Sequence, residues 1–307
     1  MVIADRQGRR CTLAGFCGRI HLDQSLEIPL ARIPPGSFAC LMKSDVVTIA
    51  IAQLDVQVAC PEANLAQARR FAAQACDAGA DLLLLPELWL HGYALDRAGE
   101  FAAPLGAGGF AQMAALSREF GLYVVGSTLE RHAGGVSNTA AFYNPQGHLL
   151  GSYRKIHLFR LMHEDQYLVP GDRPVLCESP WGPIGLAICY DLRFPELFRT
   201  MALAGALMFL IPAQWPVKRL DAWLTLARAR AIENELFVAA CNRAGRDGQL
   251  VFPGQSLVVD PLGKVLVSGS DQEQLLLARA DMRQVPVARR YLTVYEDRRP
   301  EAYHLPE

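Results

Sequence analysis

Short apolar runs alternate with longer segments of helical spacing from Val46 onward. The run "VVTIAIAQL" is apolar and rich in β-branched residues and predicts a strand, whereas "PEANLAQARRFAAQACDAGA" repeats its apolar residues at the period of an amphipathic helix. In "DLLLLPEL" four leucines precede a proline, which predicts a short strand buried on both faces. This part of the chain therefore predicts a strand, a helix and a second strand.

The same alternation continues along the rest of the chain. A helix in "FAQMAALSREFG" precedes a strand in "LYVVGSTLE" and a hairpin that turns at residues 145–147. Three more strands, in "GPIGLAICY", "LMFLIPA" and "LFVAACNRAG", alternate with helices in "PELFRTMALAGA" and "LDAWLTLARARAIENE", and a last hairpin turns at residues 261–263. Strands that alternate with helices and hairpins predict an α/β fold of mixed sheets with helices packed outside.

The limits of this pattern predict one domain. No low-complexity linker divides residues 45–290, so we assign them to a single domain. Residues 1–44 show no sustained period and predict a poorly structured leader without a catalytic role, or a stretch upstream of a natural start at Met42. Residues 291–307 are predicted to form a C-terminal tail.

Composition and charge narrow the class of partner. The chain has 51% hydrophobic and 20% charged residues and a formal net charge of -1, which predicts neither nucleic acid nor a membrane as a partner. Its longest apolar runs, such as residues 202–213, are too short to span a bilayer. The eight cysteines form no CxxC pair and no zinc-ligand spacing, which favours free thiols in a reducing cytoplasm and no metal.

Cys189 is the first candidate for chemistry. It follows the apolar run "IGLAI" and so lies at the carboxyl end of a predicted buried strand, before a helix that begins near Pro195. Sites in α/β sheets gather at such strand ends, and nearby backbone N–H groups favour a thiolate. A cysteine in such a place is also commonly a small buried apolar side chain. Cys189 alone leaves both interpretations open.

Glu87 and Lys155 are the next candidates. Glu87 leaves the buried run "LLLLP", where a partly dry pocket would raise its pKa and suit it to act as a general base, or it is a solvated loop carboxylate. Lys155 follows a hairpin strand and precedes an apolar stretch, where a buried ammonium would stabilise an oxyanion, although most lysines are simply solvated. Each of the two residues keeps a structural alternative when taken singly.

Taken together, the three residues and their surroundings resemble the nitrilase superfamily of carbon–nitrogen hydrolases. The resemblance is carried by "LLLLPELWLHGY" around Glu87, "GSYRKIHLF" around Lys155 and "GLAICYDLRFPELFR" around Cys189. Further support comes from "RARAIENELFVAACNRAG" and "GQSLVVDPLGKVL", and the similarity covers about residues 46–295. The ordered motifs make this resemblance highly specific.

The resemblance implies a Glu-Lys-Cys triad. Cys189 would attack an amide carbonyl, Lys155 and the backbone N–H of Tyr190 would hold the oxyanion, and Glu87 would act as the general acid and base through a thioester. A second family glutamate matches Glu164 in "HEDQYLVPGD" and would orient the lysine and the substrate. The backbone after the cysteine would shape the oxyanion site, and Asp191 would fix this turn.

The resemblance also implies a fold and an assembly. Its members have a four-layer α-β-β-α sandwich in which two mixed sheets lie face to face, and they form homodimers or larger homo-oligomers. The segment "ARRYLTVYEDRRPEAY" would cross to a neighbouring subunit, with a solvated tail as the alternative. No metal and no organic cofactor is implied.

Local sequence narrows the substrate to a small amide. "YRKIHLFRLMHEDQYLVPGD" and "PAQWPVKRLDAWLTLARARAIEN" are most similar to the omega-amidase branch, whose members hydrolyse ω-amides such as 2-oxoglutaramate. Such a substrate ends in a carboxylate, so a cation and an apolar wall are needed. Candidate cations are Arg193, Arg219 and Lys218, and candidate wall residues are Tyr93, Trp215 and Phe194. N-carbamoyl amino acid amidohydrolases, aliphatic amidases and nitrilases of the same superfamily remain alternatives, because they share the triad.

Three interpretations of another class compete. A Cys-His pair could use His157 or His163, which lie near Lys155 in the sequence. A non-catalytic binding protein is possible in principle, although all three triad residues are present. A dinucleotide-binding site could be based on the glycines of "GAGGF" at residues 106–110. These glycines do not lie between a strand and a helix at the required spacing, so a turn is favoured instead.

Overall fold

Two six-stranded sheets form the centre of the protein. The computed structural model describes residues 45–303, which fall within one compact unit. The leader predicted at residues 1–44 and the last four residues of the predicted tail lie outside the described residues.

The strands of the described residues are numbered in chain order, and so are the helices. The strands are β1 (Val46–Gln53), β2 (Leu82–Leu84), β3 (Tyr123–His132), β4 (Gly135–Tyr143), β5 (Leu149–Arg154), β6 (Leu176–Cys177), β7 (Ile184–Leu186), β8 (Met208–Ala213), β9 (Phe237–Asn242), β10 (Ala244–Asp247), β11 (Leu250–Pro253), β12 (Leu257–Val259), β13 (Val265–Ser268) and β14 (Gln274–Asp281). The α-helices are α1 (Pro61–Asp77), α2 (Ala98–Phe101), α3 (Gly108–Phe120), α4 (Glu164–Tyr167), α5 (Pro195–Leu203), α6 (Leu220–Asn234) and α7 (Gln284–Tyr291).

Both large sheets are mixed. The first has the order β14-β1-β2-β3-β4-β5 and the second the order β13-β12-β9-β8-β7-β6, and β10 pairs with β11 in a separate hairpin. Parallel pairing joins β1, β2 and β3 in the first sheet and β7, β8 and β9 in the second, while the outer strands pair antiparallel. Parallel strands need both faces covered, which explains why their sequences are nearly continuous apolar runs.

The core lies on both faces of the sheets. In β1, Val47, Ile49 and Ile51 belong to the cluster that also contains residues of the second sheet, whereas Ala50 and Ala52 belong to the cluster that contains α1 and α3. Successive side chains of a strand point to opposite faces, so this division places the second sheet on one side of β1 and helices on the other. Helices α5 and α6 contribute to the core of the second sheet. The predicted four-layer α-β-β-α sandwich is confirmed.

The predicted helices begin and end close to their observed bounds, but one strand is shorter than predicted. The run "GPIGLAICY" gives β7 only over Ile184–Leu186, and a 3-10 helix covers Cys189–Arg193 before α5 begins at Pro195. The cysteine therefore belongs to a turn after the strand rather than to the strand. The sequence pattern also did not predict the β10–β11 hairpin, β14 or α7.

The described residues contain neither a membrane-spanning helix nor a metal-binding cluster. Among the helices of residues 45–303, none combines the length and the apolar composition that a membrane span requires. In the same residues, no group of three or more His, Cys, Asp or Glu side chains is arranged to hold a metal ion.

Candidate active site

Four side chains meet in the dry interior between the two sheets. The Nζ of Lys155 lies 2.7 Å from Oε1 of Glu87 and 2.6 Å from Oε1 of Glu164, and the thiol of Cys189 lies beside the Glu87 carboxyl group. Glu87, Lys155 and Glu164 are 0% exposed and Cys189 is 5% exposed. The structure thus brings together the three residues predicted at strand ends, with the second glutamate beside them.

Chain topology explains this convergence. Glu87 follows β2 and Lys155 follows β5, both in the first sheet, whereas Cys189 follows β7 in the second sheet. Since the two sheets pack face to face, the carboxyl ends of β2 and β7 open into the same space. Residues far apart in the sequence can therefore form one site.

The cysteine lies in a strained turn. Cys189 has a φ of 47°, which is in the left-handed region that non-glycine residues rarely adopt, and it begins the 3-10 helix. The buried carboxylate of Asp191 holds this turn, because its Oδ2 accepts the N–H of Ile188 at 2.8 Å. The N–H groups in the first turn of such a helix have no partner inside the helix, and that of Tyr190 is among them. The turn can therefore present donors beside the sulfur.

Asp191 also connects the cysteine turn to the lysine strand. Its Oδ2 accepts the hydroxyl of Tyr153 at 2.8 Å, and its Oδ1 is 2.7 Å from Nδ1 of His157. The ring of His157 stacks on Phe194, with 3.6 Å between ring centres. This imidazole is engaged with a carboxylate and an aromatic ring rather than with the thiol. The Cys-His alternative that uses His157 has no geometric support here.

The second histidine of that alternative is also engaged elsewhere. His163 has a φ of 59° and caps the short helix α4, and its Nδ1 lies 3.2 Å from the side-chain amide of Gln166. Its side chain is exposed, whereas the thiol of Cys189 is buried. Neither histidine thus takes the place of a base for the cysteine.

Two residues that the sequence did not single out fix the Glu87 carboxylate. Asn138 Nδ2 donates to Oε1 of Glu87 at 2.8 Å, and the backbone N–H of Gln214 donates to Oε2 at 2.9 Å. With the lysine, three donors thus surround one carboxylate. Asparagine is disfavoured inside strands, so Asn138 in the middle of β4 was a signal that could have found it. Gln214 has no comparable signal, because it merely follows the apolar strand β8.

Burial and charge set the protonation of the site. Burial raises the pKa of Glu87, and Lys155 opposes this while Glu164 adds to it. Burial, with the neighbouring Glu87 carboxylate, raises the pKa of the Cys189 thiol well above its usual value. Burial acts to lower the pKa of Lys155, but the two carboxylates outweigh it and raise that pKa. The resting site therefore holds a protonated thiol and an ammonium beside the Glu87 carboxyl group.

Glu164 is held by three donors. Besides Lys155, it accepts the hydroxyl of Tyr93 at 2.7 Å on Oε1 and the N–H of Phe159 at 2.8 Å on Oε2. Burial and the Glu164 charge raise the pKa of Tyr93 well above its usual value, so this hydroxyl keeps its proton. Tyr93, considered as a pocket wall from the sequence, here supports the second glutamate.

A narrow pocket opens onto the cysteine. It encloses about 240 Å³ of space not filled by protein atoms, its open mouth included. Its lining consists of Phe159, Cys189, Tyr190, Arg193, Gln214, Trp215, Pro216 and Arg219. The wall thus includes four residues that the sequence predicted for the site besides the cysteine: Tyr190, Arg193, Trp215 and Arg219. Lys218 is exposed and Phe194 packs on His157, so neither belongs to this wall.

Both arginines of the pocket lie on aromatic rings. The guanidinium of Arg193 is 5.2 Å from the ring centre of Trp215, and that of Arg219 is 5.1 Å from the ring centre of Phe159. Within residues 45–303 neither guanidinium has a carboxylate partner. Such stacking orients a cation without neutralising it, so both remain available to an anionic group.

Comparison with known proteins agrees with this geometry. Residues 48–290 match the family model described as carbon-nitrogen hydrolase. The chain is 37% identical over 257 residues to 2-oxoglutaramate amidase from Bacillus subtilis (83% of this chain, 99% of that protein) and 31% identical over 250 residues to the human omega-amidase NIT2 (78% and 91%).

Solved structures show the same fold. A carbon–nitrogen hydrolase from Helicobacter pylori G27 superposes with a TM-score of 0.77 at 26% identity, covering 85% of this chain and 98% of that one. An amidase from Nesterenkonia sp. AN1, with acrylamide added to its active-site cysteine, superposes with a TM-score of 0.74 at 29% identity, covering 83% and 98%. The family match spans nearly all of the described residues and includes every residue of the buried site. The chain belongs to the carbon–nitrogen hydrolase family.

Proposed function

We propose that this enzyme hydrolyses the terminal amide of a small carboxylate-bearing substrate, an ω-amide of the 2-oxoglutaramate type. One observation carries the substrate class: the guanidiniums of Arg193 and Arg219, which form no ion pair with a carboxylate of residues 45–303, line a narrow pocket that ends at the Cys189 thiol. An amide that carries a carboxylate at its far end matches a site with cations at one end and a nucleophile at the other.

The first half of the reaction forms a thioester. Glu87 takes the thiol proton as the sulfur of Cys189 attacks the amide carbonyl carbon, which gives a tetrahedral intermediate with a negative oxygen. Lys155 has three N–H donors, of which the glutamates occupy two, so the third can bind this oxygen together with the N–H of Tyr190. The intermediate collapses, the C–N bond breaks, and Glu87 gives the proton to the departing ammonia.

The second half releases the acid. A water molecule gives a proton to Glu87 and attacks the thioester carbonyl, and the same donors hold the second negative oxygen. When the C–S bond breaks, Glu87 returns its proton to the sulfur, and both residues regain their resting state. Burial favours these exchanges because it raises the pKa of Glu87 toward that of its partners.

Relatives support the substrate class. The Bacillus subtilis and Paenarthrobacter nicotinovorans proteins that this chain resembles are named 2-oxoglutaramate amidases, and the mammalian ones omega-amidases. N-carbamoyl amino acids also carry a carboxylate beyond the scissile C–N bond, so they remain the alternative substrate class.

A panel of substrates tests this function. We expect 2-oxoglutaramate or succinamate to release ammonia faster than any aliphatic nitrile, because the pocket offers cations to a carboxylate and no feature selects a nitrile. Initial rates with 2-oxoglutaramate, succinamate, an N-carbamoyl amino acid and propionitrile would be compared at equal concentration. Faster turnover of the nitrile would refute the ω-amide proposal, and faster turnover of the carbamoyl compound would favour the alternative.

The pocket arginines are tested by a substrate with no carboxylate. We expect Arg219→Met and Arg193→Met each to raise KM for succinamate by about 10- to 100-fold, because a charge-assisted hydrogen bond to the carboxylate is worth about 1.5–3 kcal/mol. For butyramide, which lacks the carboxylate, kcat/KM should change less than threefold. Equal losses for both substrates would show that the arginines support the pocket rather than bind the carboxylate.

Compartment and assembly complete the proposal. The cytoplasm is the compartment we favour, since a nucleophilic thiol needs a reducing environment and the five cysteines of residues 45–303 are unpaired. A homodimer or a larger homo-oligomer is the proposed assembly, with residues 288–303 at the interface. Exposed side chains of Tyr291 and Leu292 there, 65% and 47% exposed, are consistent with such a contact.

A further inference from the structure

Arg243 is a buried guanidinium beside the site that takes no part in the proposed steps. The residue is 1% exposed, and its guanidinium lies 4.4 Å from the ring centre of Phe252. Burial lowers the pKa of Arg243, although Asp247 and Asp55 act in the opposite direction. A cation in so dry a place costs free energy unless its N–H groups are paired. Its hydrogen bonds therefore indicate what it holds.

One of these hydrogen bonds connects Arg243 to the pocket wall. Its Nη1 donates to Oε1 of Gln214 at 3.0 Å, and its Nη2 donates to the carbonyl of Arg246 at 3.0 Å. The side chain of Gln214 is fully buried, so the amide has no solvent to bind instead. Because the guanidinium binds Oε1, the amide nitrogen Nε2 must face the other way.

Gln214 in turn holds Glu87 at two points. Its Nε2 donates to the main-chain carbonyl of Glu87 at 2.6 Å, and its backbone N–H donates to the carboxylate Oε2 at 2.9 Å. The backbone N–H of Arg243 also donates to the carbonyl of Ala213 at 3.1 Å. Both the side chain and the backbone of Arg243 therefore hold residues 213–214 in place. Gln214 in turn holds Glu87, the proposed general base.

We propose that Arg243 is a positioning residue: by orienting the amide of Gln214, it holds the Glu87 carboxylate against the thiol of Cys189. The inference rests on the proposed role of Glu87 as the base. An arginine is needed here because its planar fork reaches Gln214 and the Arg246 carbonyl together, whereas a lysine ammonium is a single point of contact.

Three variants test this role with succinamate as substrate. We expect Arg243→Met, which keeps the apolar stem over Phe252, to lower kcat about 10- to 100-fold with KM changed less than threefold, because the base is misplaced while the pocket is intact. Arg243→Lys should keep less than a third of the wild-type kcat. Arg289→Met is the matched control, since Arg289 also lies over an aromatic ring, that of Tyr295, and binds a main-chain carbonyl remote from the site.

The pH profile and a double variant separate positioning from loss of folded protein. A weakened N–H donor to the carboxylate raises the pKa of Glu87, so the acidic limb of the kcat/KM profile of Arg243→Met should move to higher pH by about half a unit or more. In a Gln214→Leu background, Arg243→Met should lower kcat less than threefold further, since the connecting amide is gone. All rates are expressed per reactive Cys189, titrated with iodoacetamide.

Two results would overturn the inference. One is a kcat of Arg243→Met within twofold of wild type per titrated thiol. The other is a large loss of kcat that Arg243→Met causes equally in the wild-type and the Gln214→Leu backgrounds, with no shift in the acidic limb of the pH profile. A purely structural effect of the substitution would give this result. The proposed function is tested separately, by the substrates of the wild-type enzyme and by Glu87→Gln, which should be inactive whatever the outcome for Arg243.

Discussion

Replacing Cys189 with alanine is expected to lower kcat for every amide substrate by about 10⁴-fold or more, because no other thiol of residues 45–303 lines the pocket and can form the thioester. The fold should persist, since the change removes one sulfur atom from a small buried residue. The strained φ of 47° would still be imposed by the surrounding turn. Ammonia release and thermal unfolding would be measured on the same preparations.

A matched control is available in Cys177. This cysteine is also buried, at 1% exposure, but lies on the edge strand β6, outside the pocket. Cys177→Ala removes the same atom from a comparable environment, so it should keep near-native kcat with a similar change in melting temperature. Labelling adds a second readout: iodoacetamide should modify Cys189 ahead of the other thiols. Among the five cysteines of residues 45–303, Cys189 alone combines a neighbouring carboxylate with an opening to the pocket. Near-native turnover in Cys189→Ala would exclude the proposed nucleophile.

The convergence of the triad could be predicted from sequence because each residue follows a recognisable strand and the motifs around all three resemble one family. Four leucines end before Glu87, a hairpin strand ends before Lys155, and an apolar run ends before Cys189. Strand ends made the three residues candidates. Each of them still had a structural alternative, and the resemblance to the nitrilase superfamily was needed to place them in one site. Helices α1, α3, α5 and α6 were equally visible, since their apolar period is set by local geometry.

The supports of the triad could not be predicted in the same way. Gln214 and Glu87 are 127 residues apart, and the contact between them depends on how two sheets pack rather than on any local period. Arg243 appears in the sequence as one arginine among many, and only its burial distinguishes it. The strand β14 pairs with β1 across the whole domain, so its edge position has no local signal either. Long-range pairing is thus what the sequence pattern leaves undetermined.

The turn at the cysteine shows the same limit at shorter range. Apolar residues run from Ile184 to Ile188 without interruption, which predicts a strand up to the nucleophile. The chain instead leaves the sheet after Leu186, because the carboxylate of Asp191 captures the N–H of Ile188. A side chain that competes for backbone donors can end a strand that hydrophobicity alone would continue. The strained turn at Cys189 thus depends on a polar residue, Asp191, which lies five positions beyond the end of the strand.

Replacing Lys155 with methionine is expected to have two separable effects. The ammonium lies between two carboxylates that are both 0% exposed, so its removal leaves buried like charges unpaired. Breaking such a buried pair typically costs about 3–5 kcal/mol, and the free energy of unfolding should fall by about that amount. Activity should also be lost, because the oxyanion loses its charged donor. Urea unfolding and ammonia release would measure the two effects.

The double variant Lys155→Met with Glu164→Gln distinguishes the two effects. Gln keeps the shape of Glu164 but removes its charge, so the double variant should regain more than half of the lost unfolding free energy while remaining inactive. Glu164→Gln alone is the control, since it leaves the pair of Lys155 with Glu87 intact. If activity returned together with stability, Lys155 would be a structural counter-charge and the oxyanion would be bound by backbone donors alone.

The single variant Lys155→Met should also lose unfolding free energy in a pH-dependent way, and the pKa of Glu87 gives the direction of this dependence. Burial already raises the pKa of Glu87 in the folded protein, and without Lys155, which opposes this, the pKa rises further. A carboxyl group whose pKa is higher folded than unfolded binds more protons in the folded state, so unfolding free energy falls as pH rises from the unfolded pKa to the folded one. The stability gap between wild type and Lys155→Met should therefore be wider at pH 8 than at pH 5. A gap that is constant over this range would mean that the pKa of Glu87 is no higher in the folded variant than in the folded wild type, as when solvent enters the cleft and relieves the charge. That result would contradict a dry site held together by the lysine.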